Sequence, residues 1–96
     1  MPRNEQVLAS LRIAFGETTR ELRLEQGIAQ ETLAHLAGVD RAYMGMLERA
    51  VHTPSIEVVH RVICGLNIPA LTFWARYYAI YEKVRRRRKH PACPGK

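Results

Sequence analysis

The chain has 96 residues, with 15 Lys and Arg against 9 Asp and Glu, for a formal charge of +6. That length holds one domain whose core needs no disulfide or metal staple. The two cysteines, Cys64 and Cys93, have no metal-ligand spacing and fit a reducing cytoplasm, and no apolar run approaches the roughly 18 residues of a membrane span.

The N-terminal MPRNEQ has no apolar stretch of the signal-peptide kind. The expected location is therefore cytoplasmic, with no membrane partner. The pattern after it is helical throughout. Leu8, Leu11, Phe15, Thr19 and Leu22 recur every three or four residues along a first helix from about Glu5 to Gln26, which Gly27 is placed to end. A second helix runs from about Gln30 to Ala37 and a third from about Arg41 to Arg49. Pro54 breaks the chain and Ser55 can cap a fourth helix, which carries Ile56, Val59, Val62, Ile63 and Leu66 inward. Cys64 lies in that apolar stretch and reads as a core thiol. Asn67 suits a left-handed exit, and Pro69 can open a fifth helix without losing a hydrogen bond.

The fifth helix is long for a core of this size. Its aromatic stripe of Trp74, Tyr77, Tyr78 and Tyr81, with Leu71 and Val84, must bury itself somewhere. Either it packs on the first helix or it meets a second copy of the chain, and the favoured reading is a homodimer contact. The basic run Arg85, Arg86, Arg87, Arg88 and Lys89 follows. Without it the chain holds 10 cations against 9 anions, so attraction to an anionic partner is concentrated there. The division expected is 5–72 as the main domain, 73–89 as an aromatic and basic extension, and 90–96, HPACPGK, as a disordered tail.

The segment QETLAHLAGVDRAYMGMLE, Gln30 to Glu48, carries the chemistry. Two helices crossing steeply need a small side chain at the crossing, and Ala34 supplies it. The reversal needs a residue at ease with positive φ, and Gly38 is one. Asp40 can cap the next helix. This is the arrangement of a helix-turn-helix, which presents its second helix to the major groove of DNA. A plain αα-hairpin has the same needs.

From Leu22 to Leu66, LRLEQGIAQETLAHLAGVDRAYMGMLERAVHTPSIEVVHRVICGL resembles the helix-turn-helix domain of phage repressors and Cro, the Xre-type bacterial regulators. Within that group it is most similar to the small controller proteins of restriction–modification systems. The resemblance implies an all-α, five-helix, phage-repressor-like fold with an extended C-terminal helix. It also implies a homodimer that binds a near-palindromic operator in double-stranded DNA.

Residue by residue, the resemblance gives Gln30 a phosphate contact and makes Arg41 the leading reader of guanine. Ala42 can touch a thymine methyl, Tyr43 can donate to a phosphate or cover the core edge, Met46 can meet the groove by van der Waals contact, and Arg49 can reach the backbone. Gly45 would leave room for the DNA. Arg23 and Glu48 are expected to form a salt bridge that sets the angle of the recognition helix. The basic run 85–89 is a candidate for flanking phosphates.

Some positions depart from the family pattern. Ala29 stands where a Ser or Thr cap is usual, at about 1 kcal/mol. Gly45 inside a helix costs about 1 kcal/mol against Ala. Ala50 and Val51 stand where Gly and a polar residue are usual, which alters that turn. Thr19 stands where a larger apolar residue is usual. The recognition surface therefore carries few cations, which keeps open a different reading: a protein-interaction or antitoxin-like module, with DNA binding driven weakly by the tail. An enzyme is not expected. His35, His52, His60 and His90 are scattered, with no nucleophile–base pair, no phosphate loop and no metal or cofactor site. No small-molecule effector is expected either.

Overall fold

The structure is a computed structural model and describes residues 4–89. Five helices follow one another: α1 (Glu5–Glu25), α2 (Gln30–Ala37), α3 (Arg41–Glu48), α4 (Ile56–Leu66) and α5 (Ala70–Arg87). No strand occurs among the described residues, and no single helix there is long and apolar enough to cross a membrane. The tail 90–96 lies outside the described residues.

Local chemistry sets most of the boundaries. Asn4 caps α1 by accepting from the Val7 N–H, Asp40 caps α3, and Ser55 caps α4 by accepting from the Val58 N–H. Ala29 precedes α2 with no side-chain cap. Three successive helices then end in the same motif. After α1, the Ile28 N–H donates to the Arg23 carbonyl and Gly27 to Leu24. After α2, Val39 donates to Ala34 and Gly38 to His35. After α3, Val51 donates to Met46 and Ala50 to Leu47. The motif puts its penultimate residue in left-handed backbone. Gly27 and Gly38 sit there at φ 70°, and Ala50 sits there at φ 64° despite its Cβ. Asn67 ends α4 at φ 56°.

α1 is the central strut. α5 runs antiparallel along it: Arg76 reaches Glu21 and Glu25 near the end of α1, while Val84 and Arg87 lie beside Ile13 and Glu17. Phe15 and Phe73 meet across this seam with centroids 5.7 Å apart. On another side, α3 ends against Gly16, where a Cβ would lie 2.7 Å from the Leu47 carbonyl oxygen and 2.8 Å from that of Glu48. α2 packs on α4, and Gly65 allows that approach, since its Cβ would lie 3.1 Å from the Ala37 nitrogen. Leu33, Met44, Leu47, Val62, Leu66 and Phe73 are fully enclosed. Each such side chain contributes about 1.5–3 kcal/mol by leaving water.

Two expectations need correction. On α5 the inward row is Phe73, Tyr77, Ile80, Tyr81 and Val84, all buried within the chain. Tyr77 and Tyr81 therefore pack inside the monomer, and the chain's own fold accounts for much of the stripe. Leu71 is 82% exposed and Tyr78 58% exposed, with Trp74 half-buried between the two faces. Cys64 is exposed. It shares the outward i, i+4, i+8 row with Ile56, which is also exposed, and His60. The apolar stretch misleads because α4 buries only one side. α5 is one continuous helix, and the segment expected as its extension is its continuation.

Candidate nucleic-acid interface

α3 is 8 residues long, about 12 Å at the usual rise. Its inward residues Met44 and Leu47 anchor it, and Asp40 fixes its start by accepting at Oδ2 from the Ala42 N–H (2.9 Å) and the Tyr43 N–H (3.4 Å). Its outward face forms the floor of an open cleft of about 500 Å³ lined by Gln30, Asp40, Arg41, Ala42, Gly45, Met46 and Arg49. Arg41 and Arg49 stand exposed at opposite ends of α3, and neither guanidinium has a partner among the described residues.

This cleft gathers six of the seven residues singled out for DNA contact. Tyr43 is not among them. It is half-buried against the core, and its ring meets His52 edge-on at 5.1 Å. Asp40 lines the cleft and was read from the sequence only as a cap. Its signal was available: the side chain of an N-cap lies at the mouth of its helix, beside Arg41.

The cleft is held from behind by an ion pair. Arg23 Nε donates to Glu48 Oε2 at 2.8 Å and Arg23 Nη2 to Glu48 Oε1 at 3.1 Å, and the two side chains are only 10% and 4% exposed. The bonds to Glu48 raise the Arg23 pKa against the opposing effect of burial. Arg23 Nη1 also donates to the Ile28 carbonyl, and Gln30 Nε2 donates to Glu48 Oε1 at 3.0 Å. One carboxylate thus joins the end of α1, the loop before α2, the start of α2 and the end of α3. Gln30 gives one amide hydrogen to this network while its side chain lines the cleft, so its position is set from inside the protein.

Two more bonds brace the surface that the sequence did not reveal. Arg12 Nε donates to Thr53 Oγ1 at 2.6 Å, tying α1 to the loop after α3. Arg61 Nη1 donates to the Gly38 carbonyl at 3.1 Å, tying α4 to the turn between α2 and α3. The basic run lies elsewhere. Arg85 pairs with Glu82, and Arg87 and Arg88 lie against Ile13 and Glu17, across α1 from the end of α3. Among the described residues, no His, Cys, Asp and Glu side chains gather into a group that could hold a metal ion.

The family profile described as helix-turn-helix matches residues 20–73. The HTH-type transcriptional regulator SutR of Escherichia coli (strain K12) is 34% identical over 56 residues, 58% of this chain and 32% of SutR. The HTH-type transcriptional regulator SlrR of Bacillus subtilis (strain 168) is 30% identical over 71 residues, 73% of this chain and 47% of SlrR. The chain thus spans from about a third to just under half of the length of these curated relatives. Among solved structures, the wild-type restriction–modification controller protein C.Esp1396I superposes with a TM-score of 0.72 at 26% identity, covering 76% of this chain and 95% of that one. The same protein bound to a 25 base pair operator site gives a TM-score of 0.70 at 26% identity, covering 73% and 92%.

Proposed function

The chain belongs to the Xre-type helix-turn-helix family of DNA-binding regulators, and from that premise we propose that it reads a specific near-palindromic operator as a homodimer and regulates transcription in the cytoplasm. It acts as a binding protein and not as an enzyme. The observation that carries this is the cleft on α3. It has a floor of Ala42 and Met46, with the exposed Arg41 at one end and the unpaired Arg49 guanidinium lying over Gly45 from the other. The floor admits base edges closely, Arg41 offers a two-pronged donor to guanine, and Arg49 offers a charge to the backbone. Ala42 and Met46 provide apolar contact for thymine methyls. The exposed members of the basic run, Arg86, Arg87, Arg88 and Lys89, add flanking phosphate contacts.

The dimer forms through the outward row of α5, where Leu71 and Tyr78 stand exposed beside the small Ala75 and Ala79, with Trp74 at the margin. Small residues let two helix backbones approach, and the large apolar ones then bury each other. A symmetric dimer sets two recognition helices about 34 Å apart, one turn of DNA. The neighbour C.Esp1396I is described as a tetramer on its natural 35 base pair operator, which agrees with assembly on DNA by this kind of domain.

The test is selection from a randomised duplex pool at two salt concentrations, with sedimentation of the wild type and of Tyr78→Glu. The expected result is a palindrome with half-sites about one helical turn apart, and a variant that is monomeric and binds weakly. Retention that is uniform across sequences and vanishes with salt would overturn the reading. It would favour a protein-interaction module with tail-driven DNA binding.

A further inference from the structure

Asp40 is the one acidic side chain among the residues lining the cleft. Its Oδ2 performs the capping, and its Oδ1 has no partner among the described residues. A cap needs a single acceptor oxygen, which Ser, Thr or Asn also provides. The negative charge adds about 0.3–1 kcal/mol to that role through the helix dipole, and it repels every phosphate of an approaching duplex. On the reading that this cleft meets DNA, a carboxylate oxygen is left facing the groove beside the guanidinium of Arg41.

We infer that Asp40 is a specificity-determining residue, which accepts a hydrogen bond from the N4 amino group of a cytosine in the base pair next to the guanine read by Arg41. The major-groove edge offers amino donors only on cytosine and adenine. On adenine the donor stands beside the N7 lone pair, which repels a carboxylate. On cytosine it stands beside C5–H, which does not. Guanine and thymine present acceptors there and are excluded. The spacing fits, since consecutive Cα atoms lie about 3.8 Å apart and successive bases rise about 3.4 Å. A donor fork and an acceptor on adjacent residues at a helix start therefore match a guanine and a cytosine on adjacent steps. Asp40 acts as much by rejecting wrong bases as by holding the right one.

The test is the same randomised-pool selection on wild type, Asp40→Asn and Asp40→Ser, with thermal melts alongside. Both replacements keep a cap and lose only the charge at the helix start, about 0.3–1 kcal/mol, so Tm should fall by a few degrees at most. The wild type should enrich cytosine beside the guanine whose preference is lost in Arg41→Ala. In Asp40→Asn the amide oxygen caps and the amino group faces the groove, so the cytosine preference falls by about tenfold and acceptor bases gain. Asp40→Ser is too short to reach a base and loses the preference without acquiring another. An operator with no cytosine at that step overturns the inference. So does an Asp40→Asn profile identical to wild type with affinity raised evenly, which would make Asp40 a cap and a charge only. A wild type that enriches no sequence overturns the regulator reading itself, a result distinct from either.

Discussion

Arg23 and Glu48 are joined by two hydrogen bonds, 2.8 and 3.1 Å, between side chains that are almost wholly enclosed. They lie 25 residues apart and connect the last turn of α1 to the last residue of α3. Because Gln30 also bonds Glu48, the pair sets the relation of α2 to α3 as well as that of α3 to α1. Removing one partner leaves the other charge buried without compensation. Arg23→Met is therefore expected to destabilise the fold by about 3 kcal/mol, measured by urea unfolding. Replacing both together with apolar residues should cost less than either single change, and operator affinity should still fall because the angle of α3 is no longer held.

Two glycines invite the same substitution and should answer with opposite signs. At Gly16 a new Cβ meets backbone, 2.7 Å from the Leu47 oxygen, so α3 must move. Gly16→Ala is expected to lose about 1–2 kcal/mol net, overpacking outweighing the gain in helix propensity. At Gly45 the new Cβ crowds only the free end of Arg49 (3.1 Å) and lies at ordinary contact distance from the held amide of Gln30 (3.5 Å). Gly45→Ala should stabilise by about 0.5–1 kcal/mol while weakening operator binding. Thermal melts beside anisotropy titrations separate the two effects.

Ala50 occupies the position at the end of α3 that Gly27 and Gly38 occupy after α1 and α2, with nearly the same φ. The backbone there suits glycine, and alanine holds it at a cost. Ala50→Gly is expected to stabilise by about 1 kcal/mol, offset partly by the greater entropy of unfolded glycine. That raises Tm by a few degrees in calorimetry.

Thr18 and Thr19 are both fully buried, yet only one is satisfied. Thr18 Oγ1 donates to the Ala14 carbonyl at 2.7 Å, whereas Thr19 Oγ1 has no partner. Thr19→Val keeps the shape and removes a buried unpaired hydroxyl, so stability should rise by about 1 kcal/mol. Thr18→Val removes a made bond and should lower it. Denaturant midpoints of the two variants, compared at constant m-value, check the contrast.

Acid should loosen the α1–α5 seam. Across that seam the bond from Arg76 lowers the Glu25 pKa, while within α5 the bond from Arg85 lowers that of Glu82. A carboxyl depressed in the folded state contributes stability above its unfolded pKa and loses it as pH falls through the folded value. The contribution is thus fully present at neutral pH, begins to fall at the ordinary carboxylate value, and is lost as pH drops through the depressed folded value. Arg76→Gln should melt below wild type at pH 7, and the gap should narrow as pH falls to 3 and shrink in high salt. A gap that persists at pH 3 and in high salt would assign the loss to packing of the arginine stem.

What the sequence determined by itself was the local chemistry. Gly27, Gly38, Asp40, Ser55 and Asn67 each act on backbone groups within a few residues, so the order of helices and most of their ends were legible. The resemblance named the Arg23–Glu48 pair and most of the cleft, because it fixes the spacing between the end of α1, the start of α2 and the length of α3. The tertiary structure decided everything that depends on which segment arrives from far along the chain. It turned Tyr77 and Tyr81 inward and Leu71 and Tyr78 outward, because α1 covers one side of α5. It left Cys64 and Ile56 in solvent, because α4 packs on a single face. It made Gly16 a crossing point and gave Asp40 a place in the cleft. A helical period shows that a face exists. Only the crossing of helices distant in sequence determines which of two similar faces is covered, and that crossing is set by close approaches such as the one at Gly16.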